Sequence, residues 1–460
     1  MSDMPKSVHI KTFGCQMNVY DSDRMASVLK KTGYDLAVDI RDADVVLINT
    51  CSIREKAENR VLTMLGQLKP LKAKKPGLVI GVAGCVGQRM GRKLLQKVAH
   101  LDLVLGPDGI DKIADLVTQV ERDGLRVVDT VLDSDGGRHY SQPLVVQKAR
   151  PTEYMTVMKG CDHFCTYCIV PYVRGREKSR SISEIIGDVE RLVAAGTREI
   201  TFLGQNINTY GKGTGESLAE LLERANEIHG LQRIRFLTSH PRDMDDDLIS
   251  KFGRIEKLMP QLHLPFQAGS DAILKRMARL YTRGEYLEKV RALRQACPDL
   301  SLSTDVIVGF PGETEEDFAQ SLSLLGEVGF GFAYLFKYSR RPGTRAYAYE
   351  KSEEIPDAVK DERLARAISL SNDFIQKQNE SMVGNITPVL IESIDKKQRY
   401  YFGRNPHNKL VHVLNAGQAC VGKVVGVEIT QATNNNLKGY YVGAPKVDRV
   451  FETALSASLG

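Results

Sequence analysis

A chain of 460 residues is long enough for about three domains, and its 42% hydrophobic and 26% charged residues are typical of globular proteins. No stretch approaches the roughly 20 uninterrupted apolar residues of a membrane span, and the first residues lack the apolar core of a secretion signal, so we expect a cytoplasmic protein with no membrane partner. The net charge of +6, from 63 basic and 57 acidic residues, permits an anionic partner but does not identify one.

The first part of the chain repeats one pattern three times: an apolar run, a cysteine and a helix-like segment. The runs at 9–14, 45–50 and 78–84 lead to Cys15, Cys51 and Cys85. Amphipathic spacing predicts helices over 21–32, 53–68 and 88–99, the first two with Ser22 and Ser52 as N-caps. A further strand at 101–105 and a helix at 110–121 complete the unit, and the polar, glycine-containing residues 133–142 predict a linker.

Alternating strands and helices predict a Rossmann-like parallel sheet, in which the carboxyl ends of the strands share one edge. Cys15, Cys51 and Cys85 should therefore converge in space, and three thiolates in one place predict an iron–sulfur cluster. The alternative is three unrelated buried thiols. A dinucleotide site is less well supported, because no G-x-G-x-x-G follows the first strand.

A second group of cysteines lies on one short loop, spaced Cys161-x-x-x-Cys165-x-x-Cys168, with His163 inside it. Three thiolates are soft ligands that suit an iron–sulfur cluster or zinc. Closed zinc sites take four protein ligands and 4Fe–4S clusters usually take four cysteines, so three cysteines leave one iron open for a small molecule. Buried free cysteines are the alternative, which three within eight residues make less attractive.

Strand and helix patterns then alternate as far as about residue 375. Counting the run that precedes Cys161, six strands are predicted, which favours a partial (β/α)6 barrel over a complete eight-stranded one. The other five predicted strands are 199–204, 233–238, 262–265, 302–308 and 333–338. Capped helices, among them one that Ser181 and Glu184 open, separate them.

Polar and turn residues follow these predicted strands, on the face that should carry the cysteine loop. They occupy 204–206, 239–241, 267–270 and 309–313. Such groups can hydrogen-bond the polar portions of a cofactor, and we name Gln205, Asn206, Ser239 and Asp305 as candidate cofactor-binding residues. Each segment is equally well explained as a turn or a helix cap.

Near residue 380 the pattern changes to short β-branched runs divided by Gly, Asn and Pro, which predicts a small β-barrel. The predicted strands are 387–394, 399–403, 410–414, 421–430 and 439–442. Residues 380–447 hold eight Lys or Arg against four Asp or Glu, with tyrosines interspersed, a composition that suits looped RNA. A solubilised barrel with ordinary core tyrosines would look the same.

Three stretches together resemble the methylthiotransferase family of radical S-adenosylmethionine enzymes: 12–18 (TFGCQMN), 49–54 (NTCSIR) and 160–180 around the three-cysteine loop. Relatives that act on a ribosomal protein usually carry Pro-Lys-Asn where this chain has Gln16-Met17-Asn18. The resemblance implies an N-terminal methylthiotransferase domain at 1–148, a radical S-adenosylmethionine domain at 149–379, a TRAM domain that binds RNA at 380–447 and a tail at 448–460. The sequence of residues 403–408 departs from the pattern that is usual in TRAM domains.

The resemblance also implies an activity and its cofactors. Cys161, Cys165 and Cys168 would bind a 4Fe–4S cluster that reductively cleaves S-adenosylmethionine, and the resulting 5′-deoxyadenosyl radical would remove hydrogen from C2 of N6-dimethylallyladenosine at position 37 of tRNA. Cys15, Cys51 and Cys85 would bind an auxiliary 4Fe–4S cluster that presents a sulfur methylated by a second S-adenosylmethionine. A flavodoxin- or ferredoxin-type electron donor and iron–sulfur assembly proteins would be partners.

Three other functions stay open on the sequence. Two keep the chemistry and change the substrate, to threonylcarbamoyladenosine or to a ribosomal protein. The third is an RNA-binding protein without catalytic activity that holds structural zinc at its cysteines.

Overall fold

The computed structural model describes residues 5–52, 55–132, 150–395 and 400–444. The predicted linker at 133–142 and the tail at 448–460 lie outside these ranges. None of the described helices combines the length and the apolar character needed to cross a bilayer.

The N-terminal region is built on a six-stranded parallel sheet with the order β2-β1-β3-β4-β5-β6. Its strands are β1 Lys6–Phe13, β2 Tyr34–Leu36, β3 Val45–Thr50, β4 Val79–Gly84, β5 Leu103–Leu105 and β6 Val127–Asp129. The chain reverses its direction of winding between β1 and β3, the point at which open α/β sheets bind ligands. The predicted Rossmann-like sheet is confirmed. The sequence prediction missed β2 and β6, which have three residues each.

Helices cover both faces of this sheet. They are α1 Gln16–Lys31, α2 Glu55–Lys74, α3 Cys85–Met90, α4 Arg92–Lys97 and α5 Ile113–Asp123. Side chains of α1 and α5 pack on one face, and those of α2 and α4 pack on the other.

Three predicted helix boundaries were wrong. The first helix begins five residues early, because Asn18 accepts a hydrogen bond from the Cys15 backbone N–H at the N-terminus, and Ser22 is therefore an interior residue rather than the N-cap. The second continues to Lys74, since its buried apolar stripe extends past residue 68. The third is divided at Gly91, whose φ is +46°.

The central region has six parallel strands in two three-stranded sheets, β11-β10-β7 and β12-β13-β14, which a parallel bridge between Ile234 and Leu258 brings together. Its strands, with one small hairpin, are β7 Thr152–Thr156, β8 Met158–Lys159, β9 Lys178–Ser179, β10 Glu199–Leu203, β11 Arg233–Leu237, β12 Gln261–His263, β13 Ser301–Val308 and β14 Phe332–Lys337. The prediction of a six-stranded partial barrel is confirmed.

Seven helices belong to this partial barrel. They are α6 Val170–Arg174, α7 Ile182–Ala194, α8 Leu218–Asn226, α9 Asp246–Lys251, α10 Asp271–Arg276, α11 Arg283–Ala296 and α12 Glu315–Val328. Ser181 and Glu184 form the predicted capping box at the start of α7.

A long helix, α13 Asp357–Glu380, leads to a closed five-stranded barrel with the order β15-β16-β17-β19-β18. Its strands are β15 Ile386–Asp395, β16 Tyr400–Arg404, β17 Leu410–Leu414, β18 Val424–Ala432 and β19 Leu437–Gly443. All five were predicted, because short β-branched runs divided by Gly, Asn and Pro mark the strands of this segment.

Two buried arginines join the C-terminal barrel to the partial barrel. Arg233 Nη1 donates to the Arg404 carbonyl over 2.7 Å, and Arg235 Nη1 donates to the Pro406 carbonyl over 2.7 Å. Glu199 lies 3.1 Å from Arg235 Nε and balances part of their charge. Arg233 is the first residue of β11, so the C-terminal barrel sits at the amino ends of the strands.

Candidate functional site

The carboxyl ends of β1, β3 and β4 bring three cysteines together. Cys15 follows β1 after Gly14, Cys51 follows β3 directly, and Cys85 is the first residue of α3 after β4. The Cys51 thiol hydrogen-bonds to both of the others, which lowers the pKa of Cys15 and of Cys85 and raises the pKa of Cys51 itself. The sheet therefore delivers three thiols to one point, as the alternating pattern predicts.

Glycine precedes two of these cysteines, and the structure leaves room for no larger residue there. Gly14 has φ +143°, and a Cβ at that position would lie 2.7 Å from Cys51 Cβ. Gly84 has φ +85°, and its Cβ would lie 2.4 Å from Asn49 Oδ1. The backbones thus approach more closely than a side chain would allow.

A buried amide network holds this triad. Asn18 accepts from the Cys15 thiol over 3.3 Å and donates to Asn49 Oδ1 over 3.2 Å. Asn49 Nδ2 in turn donates to the Asn18 carbonyl over 2.8 Å and to Ser22 Oγ over 2.9 Å. Asn18 and Asn49 are fully buried, so the network fixes the ends of β1 and β3 relative to one another.

The second triad lies on the loop between β8 and α6, at the carboxyl end of the barrel. Cys161 and Cys165 are buried and Cys168 is half-buried. Burial raises the pKa of Cys161, and burial with the neighbouring Cys165 raises the pKa of Cys168 to about 12. Thiols in such surroundings hold their protons until a metal replaces them.

One short helix connects the two triads. The five-residue α6 begins two residues after Cys168, and at its last residue Arg174 Nε donates to Cys85 Sγ over 3.3 Å. Ile169 and Val173 pack against Cys85. A helix of five residues is about 7–8 Å long, so the two sites face one another over a short distance.

Each triad also has a buried arginine at one sulfur. Arg174 pairs with Asp21 over 2.7 Å, with the two side chains 2% and 1% exposed. At the other triad, Arg279 Nη1 donates to Cys165 Sγ over 3.5 Å, and its remaining bonds go to the Tyr281 hydroxyl and the Pro265 carbonyl. Sequence reasoning gave neither arginine a role. Arg174 stood inside the motif at 160–180, whereas nothing local marks Arg279.

Three of the four predicted cofactor-binding residues lie just past β10 and β11, beside the second triad. Four buried polar atoms at this place have no hydrogen-bond partner among the described residues: Gln205 Oε1, Asn206 Oδ1, Ser239 Oγ and His240 Nε2. Orphaned groups of this kind fit a polar ligand, since leaving them unpaired in the interior is costly. The donor set therefore suits the amino, carboxylate and hydroxyl groups of S-adenosylmethionine.

Asn206 belongs to a group that includes two histidines. Its Nδ2 donates to Asp243 Oδ2 over 2.7 Å, and His163 Nε2 lies 2.5 Å from the same oxygen. The rings of His163 and His240 stack with centroids 4.1 Å apart. Burial strongly lowers the pKa of His240, so its imidazole is neutral. The His163 side chain thus contacts Asp243 and His240.

Asp305 is separate from the other three. It lies within β13, three residues before the strand ends, and its carboxylate is 3.6 Å from His263 Nε2. The His263 ring makes an edge contact with Tyr334, at 6.0 Å between centroids. Asp305 therefore lines the interior of the partial barrel, below the loops that carry the cysteines.

The N-terminal sheet meets the carboxyl face of the barrel at further points. Arg341, in the loop after β14, donates to the Ser52 carbonyl next to Cys51, and its charge lowers the pKa of Cys168 against the effect of burial. Gln205 contacts Met17 of α1.

Comparison with protein families matches three segments. Residues 7–106 match an uncharacterised protein family, UPF0004, residues 155–325 match the Radical SAM superfamily, and residues 380–442 match the TRAM domain.

Curated relatives match nearly the whole chain. A protein of Syntrophobacter fumaroxidans is 44% identical over 444 residues, covering 96% of this chain and 97% of its own length. One of Geobacter sulfurreducens is 45% identical over 439 residues, covering 95% and 98%. One of Cereibacter sphaeroides is 45% identical over 441 residues, covering 95% and 99%. All three are named tRNA-2-methylthio-N(6)-dimethylallyladenosine synthase.

Solved structures share the fold at low identity. The radical S-adenosylmethionine methyltransferase TsrM from Kitasatospora setae, solved with cobalamin and a 4Fe–4S cluster, aligns with a TM-score of 0.56 and 14% identity over 75% of this chain and 77% of its own. The cobalamin-dependent enzyme OxsB aligns with a TM-score of 0.53 and 12% identity over 82% and 56%.

Proposed function

The chain belongs to the family of tRNA-2-methylthio-N(6)-dimethylallyladenosine synthases, and from that membership we propose that it attaches a methylthio group to C2 of N6-dimethylallyladenosine at position 37 of tRNA. It is a radical S-adenosylmethionine enzyme with two 4Fe–4S clusters and a TRAM domain. The observation that carries the proposal is the pair of three-cysteine sites joined by α6 and Arg174.

We assign the radical cluster to Cys161, Cys165 and Cys168 and the auxiliary cluster to Cys15, Cys51 and Cys85. Three sulfur ligands each suit a 4Fe–4S cluster that keeps one iron open. Domain boundaries follow from this assignment: 1–148 for the auxiliary-cluster domain, 149–379 for the radical domain, 380–447 for the TRAM domain and 448–460 for a tail. Gln205, Asn206 and Ser239 are proposed to hold S-adenosylmethionine through the buried polar atoms that lack partners.

When bound, the clusters and S-adenosylmethionine supply the one-electron chemistry and the methyl group. The chain's own contribution is position. Helix α6 fixes the distance between the two sites, the amide network of Asn18 and Asn49 fixes the auxiliary site, and Arg341 ties the loop after β14 to the N-terminal sheet. Burial of the cysteines excludes water, which protects reactive species from side reactions.

The interior of the partial barrel is proposed to hold the adenine. Asp305, which the sequence predicts to bind the cofactor, is then proposed to contact the substrate. Tyr334 is 44% and Phe332 37% exposed on the last strand, and their rings make an edge contact at 4.7 Å. Tyr154, 36% exposed, stands on the first strand; burial raises its pKa, and the nearby Tyr334 adds to the increase. Aromatic rings on both edge strands can stack on a base that has left its loop.

Substrate alternatives keep the same cofactors. A threonylcarbamoyl adenosine or a ribosomal protein would use the same two clusters, but the relatives that match over 94% or more of this chain carry the dimethylallyl name. A zinc-containing RNA-binding protein would be colourless and free of iron and sulfide after anaerobic purification.

A cytoplasmic location, a flavodoxin- or ferredoxin-type donor and iron–sulfur assembly partners complete the proposal.

The deciding experiment is nucleoside mass spectrometry of tRNA from a strain that lacks this gene. We expect the 2-methylthio-dimethylallyl nucleoside to disappear, the dimethylallyl precursor to accumulate, and the product to return on complementation. Persistence of the product in the deletion strain would reject the proposed substrate. Purified protein with iron and sulfide at only one triad would reject the two-cluster assignment.

A further inference from the structure

The two triads differ in the charge around their buried arginines. Arg279 is 5% exposed, and its hydrogen bonds go to a phenol hydroxyl, a carbonyl oxygen and the sulfur of Cys165. Among the described residues, the groups whose charge acts most on Arg279 are Tyr281, Tyr167 and Cys165, and none of them is a carboxylate. Arg174, by contrast, shares its charge with the buried carboxylate of Asp21.

A guanidinium remains protonated throughout the accessible pH range, so burying it without an anion is expensive. Cys165 is the hydrogen-bond partner of Arg279 that becomes anionic as a cluster ligand, whereas burial raises the pKa of the Tyr281 phenol and keeps it neutral. The cation at Arg279 is therefore balanced by the cluster itself. At the other triad, a cation and a carboxylate already cancel.

We propose that Arg279 raises the reduction potential of the cluster at Cys161, Cys165 and Cys168 above that of the auxiliary cluster, so that a single electron from a low-potential donor enters the radical site. The inference rests on the proposed two-cluster function. One electron takes a 4Fe–4S cluster from its 2+ to its 1+ state and adds a negative charge. A nearby uncompensated cation stabilises that charge, and a neutral ion pair does so less.

Directing the electron to one of the two clusters matters for the reaction. S-adenosylmethionine is cleaved only where the electron arrives, and α6 places the other cluster close enough to compete for it. Because the two sites have the same three-cysteine ligand set, ligand identity cannot distinguish them. The charges around the ligands differ, because Arg279 has no carboxylate partner whereas Arg174 is paired with Asp21, and this difference can distinguish the two sites.

The test is an EPR-monitored reductive titration of the full-length, anaerobically reconstituted protein without S-adenosylmethionine. Each cluster is isolated by replacing the other three cysteines with alanine. Arg279→Gln, which keeps N–H donors and removes the charge, is expected to lower the midpoint potential of the radical cluster and leave that of the auxiliary cluster unchanged. Arg279→Lys, which keeps the charge, is expected to stay closer to the wild-type midpoint.

Asp21→Asn supplies an independent test with the opposite sign. Removing the carboxylate takes away the negative charge that lies 2.7 Å from Arg174, so the midpoint of the auxiliary cluster should rise while that of the radical cluster stays unchanged. Iron and sulfide contents confirm that each variant is loaded, and Asp21→Asn decides the question if Arg279→Gln fails to hold its cluster.

Two outcomes overturn the inference while leaving the proposed function intact: loaded clusters whose midpoints do not move, or equal shifts at both sites. An Arg279→Lys midpoint as low as that of Arg279→Gln would also overturn it, since geometry rather than charge would then be responsible. Failure of either wild-type triad to load iron would instead reject the proposed function.

Discussion

Arg174 Nε lies 3.3 Å from Cys85 Sγ, although 89 positions separate the two residues in the chain. The contact couples the N-terminal sheet to the loop that carries the other triad, because Arg174 ends the helix that follows Cys168. Asp21 completes the arrangement from α1.

Replacing Arg174 should destabilise the protein more than replacing any surface arginine. Arg174→Met leaves Asp21 buried without its guanidinium, which we expect to cost about 3–5 kcal/mol of unfolding free energy. Arg176→Met is the matched control, because Arg176 pairs with Asp162 with 70% of its side chain exposed and should cost at most about 1 kcal/mol. Urea unfolding of the two variants measures the difference, and equal losses would contradict the buried pairing.

The two triads should fail in different ways. Cys165→Ala should abolish cleavage of S-adenosylmethionine, whereas Cys51→Ala should stop methylthio transfer and retain some cleavage. Cys420→Ala is the control, since Cys420 lies in the C-terminal barrel, far along the chain from both sites. Chromatography of methionine and 5′-deoxyadenosine, beside nucleoside analysis, measures both steps. Nucleoside product retained equally by both variants would contradict the division of roles.

The tyrosine on the last strand of the partial barrel should act through its ring. Stacking on a base is worth about 1–3 kcal/mol, so Tyr334→Ala should lower kcat/KM for tRNA by roughly 5- to 150-fold. Tyr334→Phe keeps the ring and should stay within a few-fold of the wild type. Steady-state kinetics on tRNA carrying dimethylallyladenosine measures both, and a phenylalanine variant as slow as the alanine variant would rule out stacking.

The junction with the C-terminal barrel should depend on Arg235. Arg235→Met removes two hydrogen bonds to the carbonyls of Asn405 and Pro406 and weakens the balance of charge at Glu199. We expect the C-terminal barrel to detach on heating before the rest unfolds, seen as a second transition in calorimetry. The double variant Arg235→Met/Glu199→Gln should lose more stability still, because Arg233 then stays buried without the carboxylate that lies 3.8 Å from its Nη1. One unchanged transition would show that the junction does not rely on this pair.

Lys409 should make this junction sensitive to alkaline pH. Burial lowers the pKa of its amino group from 10.5 to about 8, and the group donates to the Gly331 carbonyl. Between about pH 8 and 10.5 the unfolded chain holds a proton that the folded chain has released, so unfolding free energy should rise with pH relative to Lys409→Met. Partial exposure reduces the gain to about 2 kcal/mol. Urea titrations at pH 7 and pH 10 measure it, and a constant difference would contradict the lowered pKa.

Much of the fold follows from local pattern. Short β-branched runs between turn residues located all five strands of the C-terminal barrel, and repeated strand–helix units located the six strands of the partial barrel. The strand Tyr34–Leu36 escaped prediction because it is a short edge strand with two exposed residues. Helix boundaries failed where a tertiary bond replaced local signals, as with Ser22, whose hydroxyl bonds to Asn49 rather than capping a helix.

The parts of the site whose position depends on sheet topology alone could be predicted from the sequence. Parallel strands must share an edge, so the convergence of Cys15, Cys51 and Cys85 follows from order along the chain. Arg279 could not be found in this way, because it lies 114 positions from Cys165 and contacts that residue only in the folded chain. The contact predicted for Asp305 depends on a second factor, its depth along the strand: the strand was located correctly, and Asp305 lies three residues before its end with its carboxylate 3.6 Å from His263 Nε2.

The C-terminal barrel is attached at the amino ends of the strands, while the cysteine loop leaves their carboxyl ends. The eight-residue β13 is about 26 Å long, which sets the height between the two. A lone nucleoside is too small to touch both ends at once, whereas a folded stem-loop can do so. Molecular size thereby becomes a selection criterion, and the enzyme should ignore modified adenosine that is free in solution.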